Sequence, residues 1–429
     1  MLWGTRVGAV SIESGDPFAT FQYDPAFVPS GIQLSPVHMP LRAEPYRFTR
    51  LPVDPFDGLP GLLADALPDT WGRALVDSWL AADGRSPASF DIVERLCYVG
   101  TRGMGALEFQ PSIEPSTPTG RDLQLDRLVE LASEALAQRE AFIAELAENP
   151  EEEEMKAILA IGTSAGGARP KAIVAFNQAT GQVRSGQLDG EPGFEHWLLK
   201  FDGVSKAGDH GLVDPEGWGA IEYAYWRMAT RAGVEMSECR LLPENGRRHF
   251  MTRRFDRPPG GDKLHMQTLA ALDHVSYRMP GIYGYDQTMV LMRGIGISLP
   301  EIEQLFRRMV FNIVARNQDD HVKNVAFLMD RSGRWTLAPA YDVTWACDPT
   351  NQWLQSHQMT INGKRDRISV ADLIAIEKRV GLKRGSAKRI LAEVTDAVAT
   401  WPEIAVEVDV DPDMARDINA SLRLNLQPR

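Results

Sequence analysis

The segment Asn317-Gln-Asp-Asp-His-Val-Lys-Asn324 carries more information about the fold than any other part of this chain. It places a carboxylate, Asp319, five residues before an amide, Asn324. The apolar run that follows predicts a strand, and a turn closed by Gly333 leads into a second strand, as in a β-hairpin. Since a hairpin returns the chain to its starting neighbourhood, we expect Asp342, just beyond it, to lie close to Asn324.

The order aspartate, asparagine, hairpin, aspartate is that of the parts that carry out phosphoryl transfer in protein kinases. There the first aspartate accepts the hydroxyl proton, and the asparagine and the second aspartate hold Mg²⁺. Upstream, apolar residues at helical spacing after Pro300 and Glu301 predict a helix that ends near Arg316 and delivers Asp319 on the loop beyond it. Taken alone, the segment is equally compatible with a solvated surface loop, because acidic and amide residues favour turns.

A second group of residues suits a phosphate site. The glycine-rich segment 162–171 precedes an apolar strand, and its glycines would expose backbone N–H groups to phosphate oxygens. Its spacing is not that of a Walker A motif, and a purely structural turn is the commoner interpretation of such a segment. Further along, Lys200 is the charged residue in a buried-strand pattern, and Glu222 opens a predicted helix. A lysine on a strand followed by a glutamate on a helix is the order of the kinase ion pair.

Composition limits the classes of function. The 429 residues suffice for two or three domains, and 44% hydrophobic with 24% charged residues is ordinary for a soluble globular protein. The net charge of −12 disfavours unaided binding to nucleic acid. The three cysteines have no metal-binding spacing, and no segment has the pattern of a signal peptide or the length of a membrane span. We therefore expect a cytoplasmic protein without membrane association.

The pattern along the chain predicts three sections. Residues 1 to about 115 contain short alternating runs that predict small strands, and a helix is predicted around 71–82. The segment 111–120, rich in Pro, Ser and Thr, is predicted to be a linker. An amphipathic helix is predicted from Leu123, and Asn149-Pro150-Glu151 has the residue types that open another helix.

Five motifs follow one another along the chain, namely SAGGARPK (164–171), WLLKF (197–201), RFDR (254–257), DDHVKN (319–324) and LAPAYD (337–342). In this order they resemble the motifs of the HipA family, which comprises bacterial toxin serine/threonine kinases of type II toxin–antitoxin systems. The segment 67–73 (LPDTWGR) also resembles the leading domain of that family, so the resemblance covers nearly the whole chain. Five ordered motifs are far more specific than any single one.

The resemblance implies roles for particular residues. Asp319 would be the catalytic base, Lys323 would neutralise the transferred phosphoryl group, and Asn324 and Asp342 would hold Mg²⁺. His321 is common to the family, and bracing of the loop is its favoured role. The residues that the resemblance assigns to the ATP site are Lys200, Gly166, Gly167, Ala168, Arg254, Phe255, His321 and Asn324.

The resemblance also implies regulation and partners. Ser164 stands where family members autophosphorylate and so inactivate themselves. Arg253–Phe255 would form the hinge between lobes. Arg253 stands where the best-known member has an acidic residue, and backbone contacts to the nucleotide would survive that change. The implied partners are a HipB-like helix-turn-helix antitoxin, DNA only indirectly through that antitoxin, and a protein substrate such as an aminoacyl-tRNA synthetase.

The predicted fold is α+β, a two-lobed protein-kinase-like fold with a β-rich N-terminal subdomain and a mostly helical C-terminal lobe. Its predicted parts are a HipA-type N-terminal subdomain (1–120), a kinase-like N-lobe with the glycine-rich loop (121–268) and a helical C-lobe with the catalytic and metal-binding loops (269–429). Two alternatives stay open. One is a catalytically silent partner of a DNA-binding antitoxin that acts in operator repression. The other is a metal-dependent phosphoesterase that would use Asp319, Asp320, His321 and Asp342.

Overall fold

The computed structural model describes residues 1–113, 122–148, 153–162, 169–187, 192–204 and 216–428. In the first of these ranges two short strands pair antiparallel, with Val10 opposite Phe21. The helix predicted over 71–82 is observed as Thr70–Ala82. The elements are β1 (Gly8–Ser11), β2 (Thr20–Tyr23), α1 (Val53–Phe56), α2 (Gly61–Ala64), α3 (Thr70–Ala82) and α4 (Ile92–Val99), with 3₁₀ turns at Val28–Ser30 and Pro87–Ser89.

The second section combines helices with an antiparallel sheet. Its elements are α5 (Leu125–Ala137), α6 (Arg139–Glu148), α7 (Glu153–Gly162), β3 (Lys171–Phe176), β4 (Val183–Ser185), β5 (Glu195–Lys200), α8 (Trp218–Arg231), β6 (Cys239–Glu244) and β7 (Arg247–Arg253). The strand order is β4-β3-β5-β7-β6, and Lys171 stands opposite Lys200. Helix α5 confirms the helix predicted from Leu123, whereas the predicted helix opening at 149–151 and most of the predicted linker 111–120 lie outside the described residues.

Helix α3 ties the first section to this sheet. Trp71 and Leu75 are almost fully buried in one hydrophobic core with residues of α5, α7, β3 and β5. The indole Nε1 of Trp71 donates a hydrogen bond of 3.1 Å to the carbonyl oxygen of Lys171. The start of α3 is therefore fixed next to the strand that follows the glycine-rich segment.

The third section is mostly helical and holds a small sheet of order β10-β9-β8. Its elements are β8 (His265–Thr268), α9 (Leu269–Leu272), α10 (Tyr285–Gly294), α11 (Leu299–Val314), a 3₁₀ turn (Val322–Asn324), β9 (Ala326–Met329), β10 (Trp335–Leu337), α12 (Val370–Val380), α13 (Ser386–Val398), α14 (Trp401–Glu407) and α15 (Pro412–Ser421). Strand β8 lies before the predicted boundary at residue 268 yet pairs with β9 of the third section. The domain boundaries themselves stay predictions.

Helix α11 and the hairpin after it confirm the local predictions around the catalytic segment. Ser298 and Glu301 form a capping box at the start of α11, and the helix ends at Val314, two residues before the predicted end. Strands β9 and β10 pair antiparallel with Leu328 opposite Thr336. Gly333 closes the turn at a φ of +82°, a conformation that glycine adopts at little cost.

The first section also packs on the helical lobe. His38 Nε2 lies 3.0 Å from Asp273 Oδ1, and this hydrogen bond raises the pKa of His38 above its ordinary value. The His38 and His274 rings stack with centroids 4.5 Å apart, and the N–H of Gly61 donates to His274 Nε2 at 3.0 Å. The first section therefore contacts both lobes. Among the described residues, the longest helices lack the apolar length that crossing a bilayer requires.

Candidate active site

A cavity of about 770 Å³ opens where the three sections meet. This volume is within the range of sites that bind small molecules and cofactors. Every predicted catalytic, metal and nucleotide residue that the structure describes lines it, namely Lys200, Arg254, Phe255, Asp319, His321, Lys323, Asn324 and Asp342. The remaining predicted residues, Ser164, Gly166, Gly167 and Ala168, lie outside the described residues.

Lys200 stands between two carboxylates. Its Nζ is 2.6 Å from Glu222 Oε1, and it also contacts the carboxylate of Asp342. Burial alone would lower the pKa of Lys200, but Asp342 and Glu222 together raise it above its ordinary value. Glu222 lies one turn into α8, which begins at Trp218 rather than at the glutamate. The structure thus pairs the strand lysine with the helix glutamate in the order that the sequence indicates.

Asp342 is ionised and reaches the cavity. Although burial would raise its pKa, Lys200 and Lys171 hold the pKa of this carboxyl well below its ordinary value. Its side chain keeps 36% exposure, and its backbone adopts a left-handed φ of +52°. A non-glycine residue in that conformation is strained, and such strain concentrates at functional sites. An ionised carboxylate at the cavity wall fits a ligand for a hard cation such as Mg²⁺.

The catalytic loop fixes Asn324 relative to Asp319. The Nδ2 group of Asn324 donates to the backbone oxygen of Asp319 at 2.8 Å, which leaves the amide oxygen as the atom suited to a metal. The Oδ1 atom of Asp319 is buried and has no hydrogen-bond partner among the described residues. Buried polar atoms in native proteins are almost always paired. Asp319 as a residue lines the cavity, and its carboxylate fits a base for a bound substrate hydroxyl.

The neighbouring Asp320 has a different environment. One of its carboxylate oxygens lies 2.9 Å from both His357 Nδ1 and Tyr285 OH, and the other accepts from the N–H of Gln358 at 2.7 Å. Its side chain is buried and does not line the large cavity. Asp320 therefore anchors the loop to the helical lobe, a role that the sequence did not reveal.

His321 and Lys323 both line the cavity. The Nδ1 atom of His321 is buried without a hydrogen-bond partner in the described part of the chain, and its ring lies 5.8 Å from that of Tyr277. Its assignments to loop bracing and to nucleotide binding stay predictions. The Nζ of Lys323 lies 2.6 Å from Asp69 Oδ1. Asp69 is a cavity residue that the sequence did not single out, although it lies within the quoted segment 67–73.

The predicted hinge lies at the end of β7. The Arg254 guanidinium is buried against Asp256, with Nε 2.9 Å from Oδ1 and Nη2 2.6 Å from Oδ2. The backbone N–H of Arg254 donates to the carbonyl oxygen of His196 at 2.9 Å. The predicted nucleotide contact of Arg254 stays a prediction. The Phe255 ring packs 5.8 Å from that of Tyr341, whose hydroxyl donates to the Lys323 carbonyl oxygen at 2.5 Å.

Lys171 is a further cation of the cavity. It is buried opposite Lys200 in the sheet. Burial lowers the pKa of Lys171 to about 8, while Asp342 opposes that shift. Together with Lys200, it makes this wall of the cavity suited to bind phosphate oxygens.

Two family models match the chain. The model of the HipA N-terminal domain matches residues 1–110, and that of the HipA-like C-terminal domain matches residues 163–401. A comparison with curated protein sequences finds no match.

Solved structures give a concordant result. HipA of Shewanella oneidensis MR-1, solved in a complex of that toxin–antitoxin system with HipB and operator DNA, has a TM-score of 0.66 to this chain at 17% identity. The match covers 96% of this chain and 92% of that chain. The Helicobacter pylori proinflammatory kinase CtkA has a TM-score of only 0.36 at 11% identity, over 60% of this chain and 90% of that chain. The match to the Shewanella HipA structure confirms the predicted α+β, two-lobed kinase-like fold. The HipA-like C-terminal model alone spans more than half of the residues of this chain. This chain therefore belongs to the HipA family.

Proposed function

We propose that this protein is an ATP- and Mg²⁺-dependent serine/threonine protein kinase that acts as the toxin of a toxin–antitoxin pair. The observation that carries the proposal is that the Lys200–Glu222 pair, Asp319, Asn324 and Asp342 line one cavity. They follow one another along the chain in the order of the phosphoryl-transfer residues of protein kinases, which supports the proposal.

Each of these residues has one task in the proposed reaction. Lys200, oriented by Glu222, would bind the ATP phosphates. Asn324 and Asp342 would hold Mg²⁺, which supplies charge neutralisation for the phosphate oxygens. Asp319 would accept the proton of the attacking hydroxyl while the hydroxyl oxygen bonds to the γ-phosphorus of ATP and the bond from that phosphorus to the bridging oxygen breaks, which releases ADP. Catalysis of this kind rests on positioning and on fixed charge.

The phosphoesterase alternative is less well supported. That mechanism needs the carboxylate of Asp320 together with Asp319 and His321. Both carboxylate oxygens of Asp320 are already in hydrogen bonds with His357, Tyr285 and Gln358. The phosphoesterase mechanism also has no use for the Lys200–Glu222 pair. Incubation of the purified protein with ATP and Mg²⁺ separates the two. Phosphate bound to protein supports the kinase, and release of free phosphate from phosphoester substrates without protein labelling supports the phosphoesterase.

For the substrate, we propose a translation component such as an aminoacyl-tRNA synthetase. Its support is the family resemblance alone. Phosphoproteomics after brief expression, with the wild type compared with Asp319→Asn, identifies the target. Phosphosites that appear in both samples are not products of this active site.

For the antitoxin, we propose a HipB-like helix-turn-helix dimer, because the similar Shewanella HipA was solved with HipB and operator DNA. The net charge of −12 predicts that the chain alone binds duplex DNA weakly at physiological salt. A mobility-shift assay should show an operator complex only when the basic antitoxin is present. Tight, sequence-specific binding by the purified chain alone would contradict this prediction.

For regulation, we propose autophosphorylation at Ser164. The residue lies outside the described range, so its support is the sequence: it neighbours Gly162, Gly166 and Gly167, and a phosphate there would add nearly two negative charges beside the ATP phosphates. We predict that phospho-Ser164 protein binds ATP poorly and is inactive. Mass spectrometry after incubation with ATP, followed by nucleotide titration of the phosphorylated form, tests this. Phosphate found only elsewhere, or unchanged ATP affinity, would rule it out.

A further inference from the structure

The contact between Asp69 and Lys323 joins two parts of the chain that are 254 residues apart in sequence. Asp69 Oδ1 lies 2.6 Å from Lys323 Nζ, and each side chain retains 18% exposure. Lys323 belongs to the catalytic loop between Asp319 and Asn324, whereas Asp69 belongs to the first section. Both line the large cavity.

The position of Asp69 makes this contact unusual. Asp69 is the N-cap residue of α3, and an aspartate at that position ordinarily accepts hydrogen bonds from the first turn of the helix. Here its side chain makes no capping hydrogen bond. The carboxylate is instead turned into the cavity towards Lys323. Departures from local preferences of this kind are expected where function opposes them.

The Lys323 ammonium is surrounded by groups from several elements. Besides Asp69, these are Asp65 at the end of α2 and the ring of Tyr277, whose centroid is 5.1 Å from Nζ. Asp65 is itself oriented by Thr268, whose N–H and hydroxyl donate to it at 2.7 and 2.8 Å. Burial alone would lower the pKa of Lys323, but Asp69, followed by Asp65, raises it above its ordinary value.

We propose that Asp69 is a positioning residue for phosphoryl transfer, which holds the Lys323 ammonium in the cavity so that the first section completes the active site. This inference rests on the proposed kinase function. In that role, Lys323 would offset the charge of the transferred phosphoryl group, while Lys200 on the opposite lobe would bind ATP independently of Asp69. Loss of the Asp69 carboxylate should therefore slow the chemical step and leave the affinity for ATP unchanged.

The test compares Asp69→Asn and Asp69→Glu with Asp57→Asn. Asp57 pairs with Arg73, 3.1 Å from its Nη1, on the same section but outside the cavity. We expect Asp69→Asn to lower kcat on the order of 100-fold, the scale of a displaced catalytic group, with KM for ATP changed by less than about threefold. Asp69→Glu should restore part of kcat. Asp57→Asn should match wild-type kcat.

The melting temperature separates positioning from folding. A merely structural role for Asp69 would lower the melting temperature of Asp69→Asn while kcat fell no further than in Asp57→Asn, which would overturn the proposal.

A labelling experiment keeps the test independent of kinase activity. In wild type the Asp69 contact holds Lys323 Nζ, and the lysine side chain is only 18% exposed. Release of that contact should therefore let an acylating reagent modify Lys323 faster in Asp69→Asn than in wild type, as measured by mass spectrometry. If wild type transfers no phosphate, the kinase proposal fails while the labelling rates still decide on Asp69. If wild type is active and Asp69→Asn keeps both its kcat and its labelling rate, the positioning role is refuted.

Discussion

The Asp319→Asn substitution is expected to lower kcat for phosphate transfer by about 10²- to 10⁴-fold, the range of general base catalysis. The amide of asparagine cannot accept the hydroxyl proton, although it fills the same space at the cavity wall. The fold should survive, because Oδ1 of Asp319 has no hydrogen-bond partner to lose among the described residues. Steady-state kinetics together with a thermal unfolding curve measure both quantities.

The adjacent aspartate supplies the matched control. Asp320→Asn should lower the free energy of unfolding by about 1–3 kcal/mol, because its buried partners His357, Tyr285 and Gln358 lose charge-assisted hydrogen bonds. In cells, Asp319→Asn and Asp342→Ala should both abolish growth arrest at matched expression. Growth arrest that persists in both variants would contradict the kinase mechanism.

The largest effect on stability is expected at Asp256. Its carboxylate accepts from Arg254, from Arg257 at 2.7 Å and from the N–H of Gly105 at 2.7 Å, all in a buried cluster. Asp256→Ala would leave two guanidinium groups without their carboxylate partner, which costs about 3–5 kcal/mol for a buried ion pair. Chemical or thermal unfolding measures this loss, and the contact between the first section and the hinge should weaken with it.

A surface pair and a pH series control this prediction. Glu407→Ala removes an exposed partner of Arg227, 2.6 Å away, and should change the free energy of unfolding by about 0–1 kcal/mol. Burial would raise the pKa of Asp256, but Arg254 and Arg257 hold that pKa well below its ordinary value. The contribution of Asp256 is therefore fully present above the unfolded pKa of about 3.9 and is lost as pH falls below it. Equal losses of unfolding free energy in Asp256→Ala and Glu407→Ala would refute the special role of the buried cluster.

Local patterns in the sequence were enough to predict the hairpin, helix α11 and the loop that carries Asp319 and Asn324. Helical spacing, caps and turn residues act over a few positions, so their signals are complete within one segment. The Lys200–Glu222 pair followed from the order of a strand and a helix. In the structure the two side chains form the expected pair, with Lys200 Nζ 2.6 Å from Glu222 Oε1.

The parts that could not be predicted depend on contacts between distant segments. Asp319 and Asp320 are identical and adjacent, and a loop has no period that tells which faces the cavity and which is buried. The partner of Lys323 lies 254 residues away, in a section whose pattern predicts strands and a helix but no active-site contact. The Arg254 guanidinium is likewise held by Asp256, a neighbour whose burial the sequence does not reveal.

The most direct test of the kinase account is the transfer of radiolabelled γ-phosphate from ATP to protein. With Mg²⁺, wild-type protein should acquire acid-stable label on serine or threonine, and the label should be absent when EDTA is added. Asp319→Asn should bind ATP with near wild-type affinity and acquire label at about a hundredth of the wild-type rate or less. Wild-type protein that binds Mg²⁺-ATP and labels no protein, either itself or in a cell lysate, would contradict the account and favour a catalytically silent partner of the antitoxin.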